Sequence, residues 1–208
     1  NLIKANKIDK VIHASSLLTI GDASEANPAY TLQVNCVGMN NLLEAARLFG
    51  LKKIVWTSSL QALGEIVKYH KEPITDDAIY KPNSMYSATK VLDEFMAKLY
   101  YDKFGVEKVG FRIGLILGVD KPIGPGGVIS NFIRDAAIDV PITMATVKAD
   151  AERTMGLGYV ENTSNLLLHA CEAPTPKTRT FNAHEYQVTS LQLVESMRRV
   201  NPKAKISM

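Results

Sequence analysis

The chain has 208 residues, of which 46% are hydrophobic and 22% charged, and its formal net charge is +3. This composition excludes wholesale disorder, because a chain with that much apolar surface can bury a core. The apolar runs are too short to span a bilayer and no block of Lys and Arg is present, so we expect neither a membrane nor nucleic acid as a partner.

In chain order, the first half of the sequence alternates predicted strands and helices. Asn27-Pro28 begins the first long helix, with Asn as the cap and Pro in the first turn, and Gly50 suits its end. Ser84 caps the second long helix, which Gly105 closes. The five elements are a strand at 10–16, a helix at 28–49, a strand at 53–57, a helix at 85–104 and a strand at 109–117. This alternation predicts right-handed crossovers and a parallel sheet.

In the second half, Gly, Pro and Asp become frequent after residue 118 and predict a long loop with a short helix near 129–137. Gly124 to Gly127 are not followed by the Lys-Ser/Thr of a phosphate loop, so we interpret them as a flexible flap near the substrate. We further predict a helix at 162–172 and a strand at 179–182. The capping box Thr189-x-x-Gln192 opens a final helix that ends near Val200.

Polar side chains follow the predicted strands at the edge where a parallel sheet binds its ligands. They lie in the segments 13–16, 58–59 and 112–118. The helix after Ser84 begins at the same edge and carries Tyr86 and Lys90, which are four residues apart and therefore share one face. These segments are the candidate site.

A Tyr phenol, with an ordinary pKa near ~10, is a poor base at neutral pH unless a neighbouring ammonium favours the phenolate. Tyr86 and Lys90 supply this pair, and Ser59 can donate a hydrogen bond to a substrate oxygen. A Tyr-x-x-x-Lys pair also arises by chance, so its weight lies in the context: a strand that ends in Ser-Ser, a polar loop and a helix start. The set predicts proton transfer on an alcohol or carbonyl, coupled to hydride transfer with a cofactor.

Five stretches make the sequence resemble the extended short-chain dehydrogenase/reductases, the NAD-dependent epimerase/dehydratase family. They are DKVIHASS (9–16), NCVGMNNLLEAA (35–46), KKIVWTSSLQALG (52–64), SMYSATK (84–90) and FRIGLILG (111–118). They occur in the order and at the spacing of that family. The resemblance implies an α/β fold, a Rossmann-like doubly wound parallel sheet with a small α/β substrate lobe, and NAD or NADP as cofactor.

The resemblance also implies a role for each matching residue. Tyr86 is then the catalytic acid/base, Lys90 binds the nicotinamide ribose and lowers the pKa of Tyr86, and Ser59 is the catalytic serine. The implied cofactor-binding set is Ala14, Ser15, Asn35, Ser58, Tyr86, Lys90, Ile113 and Gly114. The implied substrate-binding set is Ser59, Leu60, Gln61, Tyr86, Leu115 and Arg153.

The glycine-rich turn that seats the pyrophosphate of a dinucleotide is missing from the sequence. None of the 13 glycines forms a G-x-G-x-x-G or G-x-x-G-x-x-G pattern. We therefore expect an internal fragment of a longer chain. Residues 1–118 are expected to form the C-terminal part of the dinucleotide-binding domain, without its first βαβαβ half. Residues 119–208 are expected to form an incomplete substrate lobe, interleaved with the last strand or strands of the sheet.

Two positions bear on the substrate. Sugar-nucleotide enzymes of the resembled family usually carry Asn where this sequence has Leu115, and an Arg for which Arg153 lies too early. Both departures favour an NAD(P)-dependent oxidoreductase acting on a small secondary alcohol or carbonyl compound over a nucleotide-sugar epimerase or dehydratase. The third alternative is a non-catalytic cofactor-sensing protein, against which the complete Ser-Tyr-Lys set argues.

Other residues receive structural interpretations. His13 is expected to pack beneath the cofactor loop, and no His, Cys, Asp or Glu cluster has metal-ligand spacing, so we predict no metal site. Cys36 and Cys171 lie in apolar helical patterns and are expected to be reduced core residues of a cytoplasmic protein. The helices at 28–49 and 85–104 are apolar on more than one side, and in the resembled family they form a four-helix interface, so we expect a homodimer.

Overall fold

The computed structural model describes residues 2–18, 26–64, 74–121, 124–143, 154–177, 179–183 and 186–207. They form two compact units that alternate along the chain. The first unit contains Asn1–Ile113 and Ser164–Ala183, and the second contains Gly114–Thr163 and His184–Met208. The assignment of 1–118 to the cofactor and of 119–208 to the substrate stays a prediction.

The strands of the described residues are, in chain order, β1 (Lys10–His13), β2 (Lys53–Ser59), β3 (Lys108–Ile113), β4 (Leu115–Leu117), β5 (Ile142–Thr143), β6 (Thr154–Tyr159), β7 (Thr180–Asn182), β8 (Tyr186–Thr189) and β9 (Ile206–Ser207). The α-helices are α1 (Leu2–Ala5), α2 (Pro28–Leu32), α3 (Gly38–Phe49), α4 (Met85–Phe104), α5 (Gly124–Ala137), α6 (Val160–Glu172) and α7 (Ser190–Val200). A π-helical turn at Gln33–Val37 joins α2 to α3, and a 3₁₀ turn at Leu60–Leu63 follows β2. No helix in these ranges is long and apolar enough to cross a membrane.

A four-stranded parallel sheet in the order β1-β2-β3-β7 forms the centre of the first unit. All seven residues of β2 are buried, as expected for a central strand that is covered on both faces. The register pairs His13 with Trp56 and Ser59 with Ile113, so the carboxyl ends of neighbouring strands meet at one edge. This sheet confirms the predicted α/β class, and its carboxyl edge is where the candidate site was expected.

The long helices of the first unit begin and end at the residues that local chemistry predicts. The Asn27 side chain accepts a hydrogen bond from the backbone of Tyr30, and Ser84 forms a capping box at the start of α4. Gly50 and Gly105 end α3 and α4 with φ of +68°, a left-handed conformation that favours glycine. The predicted bounds of 28–49 and 85–104 are confirmed, apart from the π-helical turn inside the first.

Apolar side chains cover both faces of the sheet. On one face, Ile54 and Trp56 of β2 pack with Met39 and Leu43 of α3 and with Ala97 of α4. On the other face, Val55, Val109 and Phe111 pack with Leu167 and Cys171 of α6. Alternate residues of β2 therefore enter two separate cores, as strand geometry requires, and the sheet is doubly wound.

The second unit has its own small sheets and core. Strand β6 pairs in parallel with β4 and in antiparallel with β8, while β5 pairs in parallel with β9. Helix α7 begins at the predicted Thr189 capping box, and its Leu193, Val194 and Met197 pack with Leu157 of β6. The short strands β6 and β8 were not predicted, because Thr154–Tyr159 contains two glycines and β8 spans four residues.

The prediction of a flexible flap at Gly124 to Gly127 is wrong. These residues form the first turn of α5, which therefore begins before the predicted start near residue 129. Pro125 suits a first helical turn, because the N–H that proline lacks has no partner within the helix there. Gly126 packs so closely on β4 that a Cβ atom would collide with the carbonyl oxygen of Ile116.

Candidate active site

Tyr86 and Lys90 lie in the first two turns of α4, whose start is set by the Ser84 capping box. Both side chains are buried, with 6% and 3% of their surface exposed. The Lys90 ammonium lies 5.7 Å from the centroid of the Tyr86 ring and donates a hydrogen bond to the Thr57 carbonyl at 3.1 Å. The two side chains thus occupy one face of the helix, against the end of β2.

Two serine hydroxyls reach Tyr86 from the ends of adjacent strands. Ser59 ends β2 and Ser16 follows β1, and both hydroxyls lie close enough to the Tyr86 phenol to lower its pKa. Ser59 Oγ also accepts a hydrogen bond from the Gln61 N–H at 3.2 Å, which caps the 3₁₀ turn. The structure therefore brings Ser59, Tyr86 and Lys90 together. Ser16 was not assigned a role from the sequence, although its place after β1, next to Ser15, was an available signal.

The environment of Tyr86 keeps its phenol protonated at neutral pH. Burial raises the pKa of Tyr86 above its ordinary value, and the nearby Ser59 and Ser16 hydroxyls oppose this change. The charge of Asp93 raises the pKa further. This direction is opposite to the lowering expected from Lys90, because lost hydration penalises a buried phenolate strongly. The phenol is therefore the form of Tyr86 from which a reaction begins.

Asn35 joins the loop after β1 to α4. Its Oδ1 accepts hydrogen bonds from the Leu17 N–H at 2.7 Å and from Ser16 Oγ at 3.2 Å. Its Nδ2 donates to the Leu17 carbonyl at 3.3 Å and to Thr89 Oγ1 at 3.1 Å. Asn35 lies in the π-helical turn, a feature that often marks functional sites. Its side chain therefore supports the site by holding Ser16.

Further ionisable side chains are buried beyond Lys90. Asp93 is 3% exposed, and burial raises its pKa to about 7 against the opposing effects of the Lys90 charge and the nearby Cys36 thiol. Burial also raises the pKa of Cys36 to about 12. Burial lowers the pKa of Lys90, which the charge of Asp93 counteracts, and burial together with the charge of Lys90 lowers the pKa of His13. Each of these groups is shifted towards its neutral form.

Ser58 turns its side chain away from this cluster and into a buried ion-pair network. Its hydroxyl donates to Glu94 Oε1 at 2.5 Å. Arg112 binds the same carboxylate through Nη2 at 2.7 Å and Nε at 2.9 Å, and the Tyr80 hydroxyl donates to it at 2.6 Å. Any contact between Ser58 and a cofactor is therefore left to its main chain. Glu94 and Tyr80 were not predicted from the sequence, because no local pattern indicates that they contact Arg112.

The remaining predicted residues lie at several places. Ala14 and Ser15 are exposed directly after β1, Leu60 is buried and Gln61 half-buried in the 3₁₀ turn, Ile113 ends β3, and Gly114 and Leu115 belong to the second unit. Arg153 lies outside the described residues. Within the residues that the structure describes, no three His, Cys, Asp or Glu side chains are grouped so that they could hold a metal ion.

Comparison with known proteins finds similarity along most of the chain. Residues 1–183 match the sequence model of the NAD dependent epimerase/dehydratase family. An uncharacterised epimerase/dehydratase of Staphylococcus saprophyticus is 28% identical over 194 residues, which cover 92% of this chain and 58% of that protein. The mitochondrial L-threonine 3-dehydrogenase of Bos taurus is 26% identical over 211 residues, which cover 99% of this chain and 54% of that protein. The chain thus spans less than two thirds of the length of these relatives.

A solved structure shows the same architecture. The L-threonine dehydrogenase from Phytophthora infestans superposes with a TM-score of 0.82 at 26% identity, covering 99% of this chain and 66% of the other. The agreement over nearly the whole chain confirms the Rossmann-like fold that was expected from the sequence.

Proposed function

The chain belongs to the NAD dependent epimerase/dehydratase family, and on that premise we propose that it carries the catalytic residues of an NAD(P)-dependent oxidoreductase acting on a secondary alcohol or carbonyl compound. The observation that supports this proposal is that Ser59, Tyr86 and Lys90 are buried and lie close together at the carboxyl edge of the sheet. One hydroxyl there can hold a reacting oxygen while the phenol exchanges a proton with it.

Lys90 fits a role in holding NAD. An ammonium has three N–H donors, and in the described part of the chain a hydrogen bond to Thr57 uses one of them. The others are available for ribose hydroxyls, and the exposed Ala14 and Ser15 offer a surface after β1. When bound, NAD supplies the hydride acceptor and, in its oxidised form, a positive charge. The sequence has no glycine-rich turn, so the proposal concerns the nicotinamide half of the cofactor.

In the proposed reaction, the Ser59 hydroxyl donates a hydrogen bond to the substrate oxygen and Tyr86 moves the proton. For reduction, Tyr86, which its raised pKa keeps protonated, donates its proton to the oxygen. For oxidation, the phenolate form of Tyr86 receives the proton of the alcohol and becomes the phenol. Before that step the Lys90 ammonium stabilises the negative charge of the phenolate, and because both groups are buried, water weakens this attraction little.

L-Threonine is the first substrate to test, since the bovine relative and the Phytophthora structure both bear that specificity in their names and threonine carries a secondary alcohol. We expect the full-length protein to reduce NAD when L-threonine is added, seen as absorbance of the reduced nicotinamide. Tyr86→Phe should lower kcat at least about 100-fold, because proton transfer is lost. Tyr30→Phe makes the same chemical change on a ring that is 54% exposed and should leave kcat unchanged. Full activity in Tyr86→Phe would contradict the role of Tyr86.

Nucleotide-sugar epimerisation or dehydration is the second candidate, which the family description and the staphylococcal relative favour. In that reaction the cofactor is oxidised and reduced within one cycle. Conversion of a UDP- or dTDP-sugar without net reduced nicotinamide would therefore favour it over the oxidoreductase. A cofactor-sensing protein would instead bind NAD and convert neither class of substrate.

We also propose a homodimer formed through the helices at 28–49 and 85–104. Both carry exposed apolar side chains, namely Tyr30, Leu32, Val37, Leu48 and Phe49 on the first and Leu92, Phe95, Leu99 and Phe104 on the second. Phe95→Glu should convert dimers to monomers in analytical ultracentrifugation, and an unchanged sedimentation coefficient would argue against this interface. Cys36 and Cys171 are both free and buried, which supports the cytoplasmic location that we propose.

A further inference from the structure

Asp93 is a buried carboxylate that packing alone does not explain. It is 3% exposed, and in the described part of the chain its Oδ1 has no hydrogen-bond partner. Burying a charge without partners is costly, so such a group next to a candidate active site points to a role beyond packing. We propose that Asp93 is a positioning residue: its negative charge keeps Lys90 in the ammonium form that the proposed function, on which this inference rests, requires.

The placement of the two residues on α4 supports this role. Lys90 and Asp93 are three residues apart on one helix, so their side chains share a face, and both are 3% exposed. The hydrogen-bond partner of Lys90, the carbonyl of Thr57, is neutral. A buried ammonium held only by a neutral carbonyl is disfavoured relative to the free amine. A nearby negative charge therefore favours retention of its proton.

The other ionisable groups near Lys90 act on its charge less than Asp93 does. Glu94, on the same helix, is bound by Arg112 through two nitrogen atoms, so its charge is already paired. Cys36, on the π-helical turn, has a pKa of about 12 and stays a neutral thiol. His13, on β1, has a lowered pKa and is neutral at neutral pH. Asp93 is the carboxylate whose charge acts most strongly on Lys90, ahead of Glu94.

The titration behaviour agrees with this geometry. Burial lowers the pKa of Lys90, and the charge of Asp93 is the largest effect in the opposite direction. Burial raises the pKa of Asp93 to about 7, with the charge of Lys90 opposing it. The carboxylate is consequently ionised above neutral pH, where its charge opposes the loss of the Lys90 proton. Each of the two buried groups therefore favours the charged form of the other.

Direct titration of Lys90 in the full-length protein, without cofactor or substrate, tests the proposal. NMR of protein labelled at the lysine ε-carbons follows each ammonium, and the Lys90 signal is the one that disappears in Lys90→Met. In Asp93→Asn, a neutral change of equal size, we expect the Lys90 midpoint to move to lower pH by about one unit or more. Asp102→Asn removes an exposed carboxylate that pairs with Lys98 on the same helix, and should leave the Lys90 midpoint in place.

A folded Asp93→Asn protein with an unchanged Lys90 midpoint would overturn the proposal. If this variant does not fold, the wild type provides the test: the Lys90 signal must respond at the pH where the Asp93 carboxyl titrates, and no response would equally overturn it. The measurement needs no turnover, so an inactive protein would refute the proposed function and leave this result interpretable. In an active enzyme, Asp93→Asn should also move the alkaline limb of the kcat–pH profile to lower pH.

Discussion

Replacing Glu94 by Gln tests whether one buried ion pair holds α4 on the sheet beneath the candidate site. The side chains of Arg112 and Glu94 are 3% and 2% exposed. The carboxylate also accepts hydrogen bonds from Ser58 at 2.5 Å and from Tyr80 at 2.6 Å. Glutamine has nearly the same size, but its amide is uncharged and turns one acceptor oxygen into a donor. Arg112 then becomes a buried cation without a counter-ion.

The structure sets the size of the expected effect. Removing one member of a buried ion pair costs about 3–5 kcal/mol, because the remaining charge is uncompensated. Arg112 keeps three hydrogen bonds in the variant: from Nη1 to the Asp76 carbonyl at 2.9 Å and to Asn182 Oδ1 at 3.1 Å, and from Nη2 to the Tyr80 hydroxyl at 3.3 Å. These bonds offset part of the loss, so we expect the free energy of unfolding to fall by about 3 kcal/mol in Glu94→Gln.

Urea unfolding of the full-length protein measures this change. Arg112→Met should be similarly destabilising, and the double variant should be less destabilised than the sum of the two, with a coupling of about 2 kcal/mol. Asp102→Asn is the matched control, since it breaks the exposed Lys98–Asp102 pair of the same helix and should cost less than about 1 kcal/mol. A Glu94→Gln protein within about 1 kcal/mol of the wild type, at an unchanged m-value, would refute the reasoning.

Three further predictions follow from the same contacts. Asn35→Ala removes the hydrogen bonds that hold Ser16 and the loop after β1. It should lower the free energy of unfolding by about 2 kcal/mol, measured by denaturation, and reduce kcat, measured by initial rates. A stable, fully active variant would contradict this. Because the pKa of Asp93 rises on folding from 3.8 to about 7, its protonated form is favoured in the folded state. The stabilising contribution of Asp93 is therefore full below pH 3.8 and is lost as the pH rises through about 7. The part of the unfolding free energy that comes from Asp93 should decline across this window in the wild type, and Asp93→Asn should lack this decline. Cys36, a buried thiol with a pKa of about 12, should resist iodoacetamide in the folded protein and react in urea, as mass spectrometry would show; rapid native labelling would contradict its burial.

The elements that could be predicted from the sequence are those with strong local signals. Helix α4 has a cap at Ser84 and a glycine stop at Gly105, and both act through the nearest turns of the chain. The same holds for the capping box at Thr189. The spacing of Tyr86 and Lys90 is also local, because a helix determines which side chains share a face. The strand ends then bring Ser59 to this pair, since parallel strands place their carboxyl ends at one edge.

Contacts between distant segments could not be predicted in this way. Glu94 binds Arg112, 18 residues further along the chain, and Asn35 donates a hydrogen bond to Thr89, 54 residues further. No local sequence pattern around these residues indicates which residue is the partner. The wrong interpretation of Gly124 to Gly127 has the same origin. A four-residue segment with three glycines looks flexible by itself. In the fold, Gly126 lies so close to Ile116 that only a residue without a side chain fits there.

The direction of the Tyr86 pKa shift shows why composition and spacing are insufficient for the chemistry. Spacing predicts a phenol next to an ammonium, and hence a lowered pKa, but depth of burial decides the sign. Burial moves Tyr86, Lys90, Asp93 and Cys36 towards their neutral forms, so the site resists carrying charge. A catalytic cycle that passes through a phenolate must therefore have a charge maintained against this tendency. We propose that the buried carboxylate of Asp93, three residues from Lys90 on α4, maintains it.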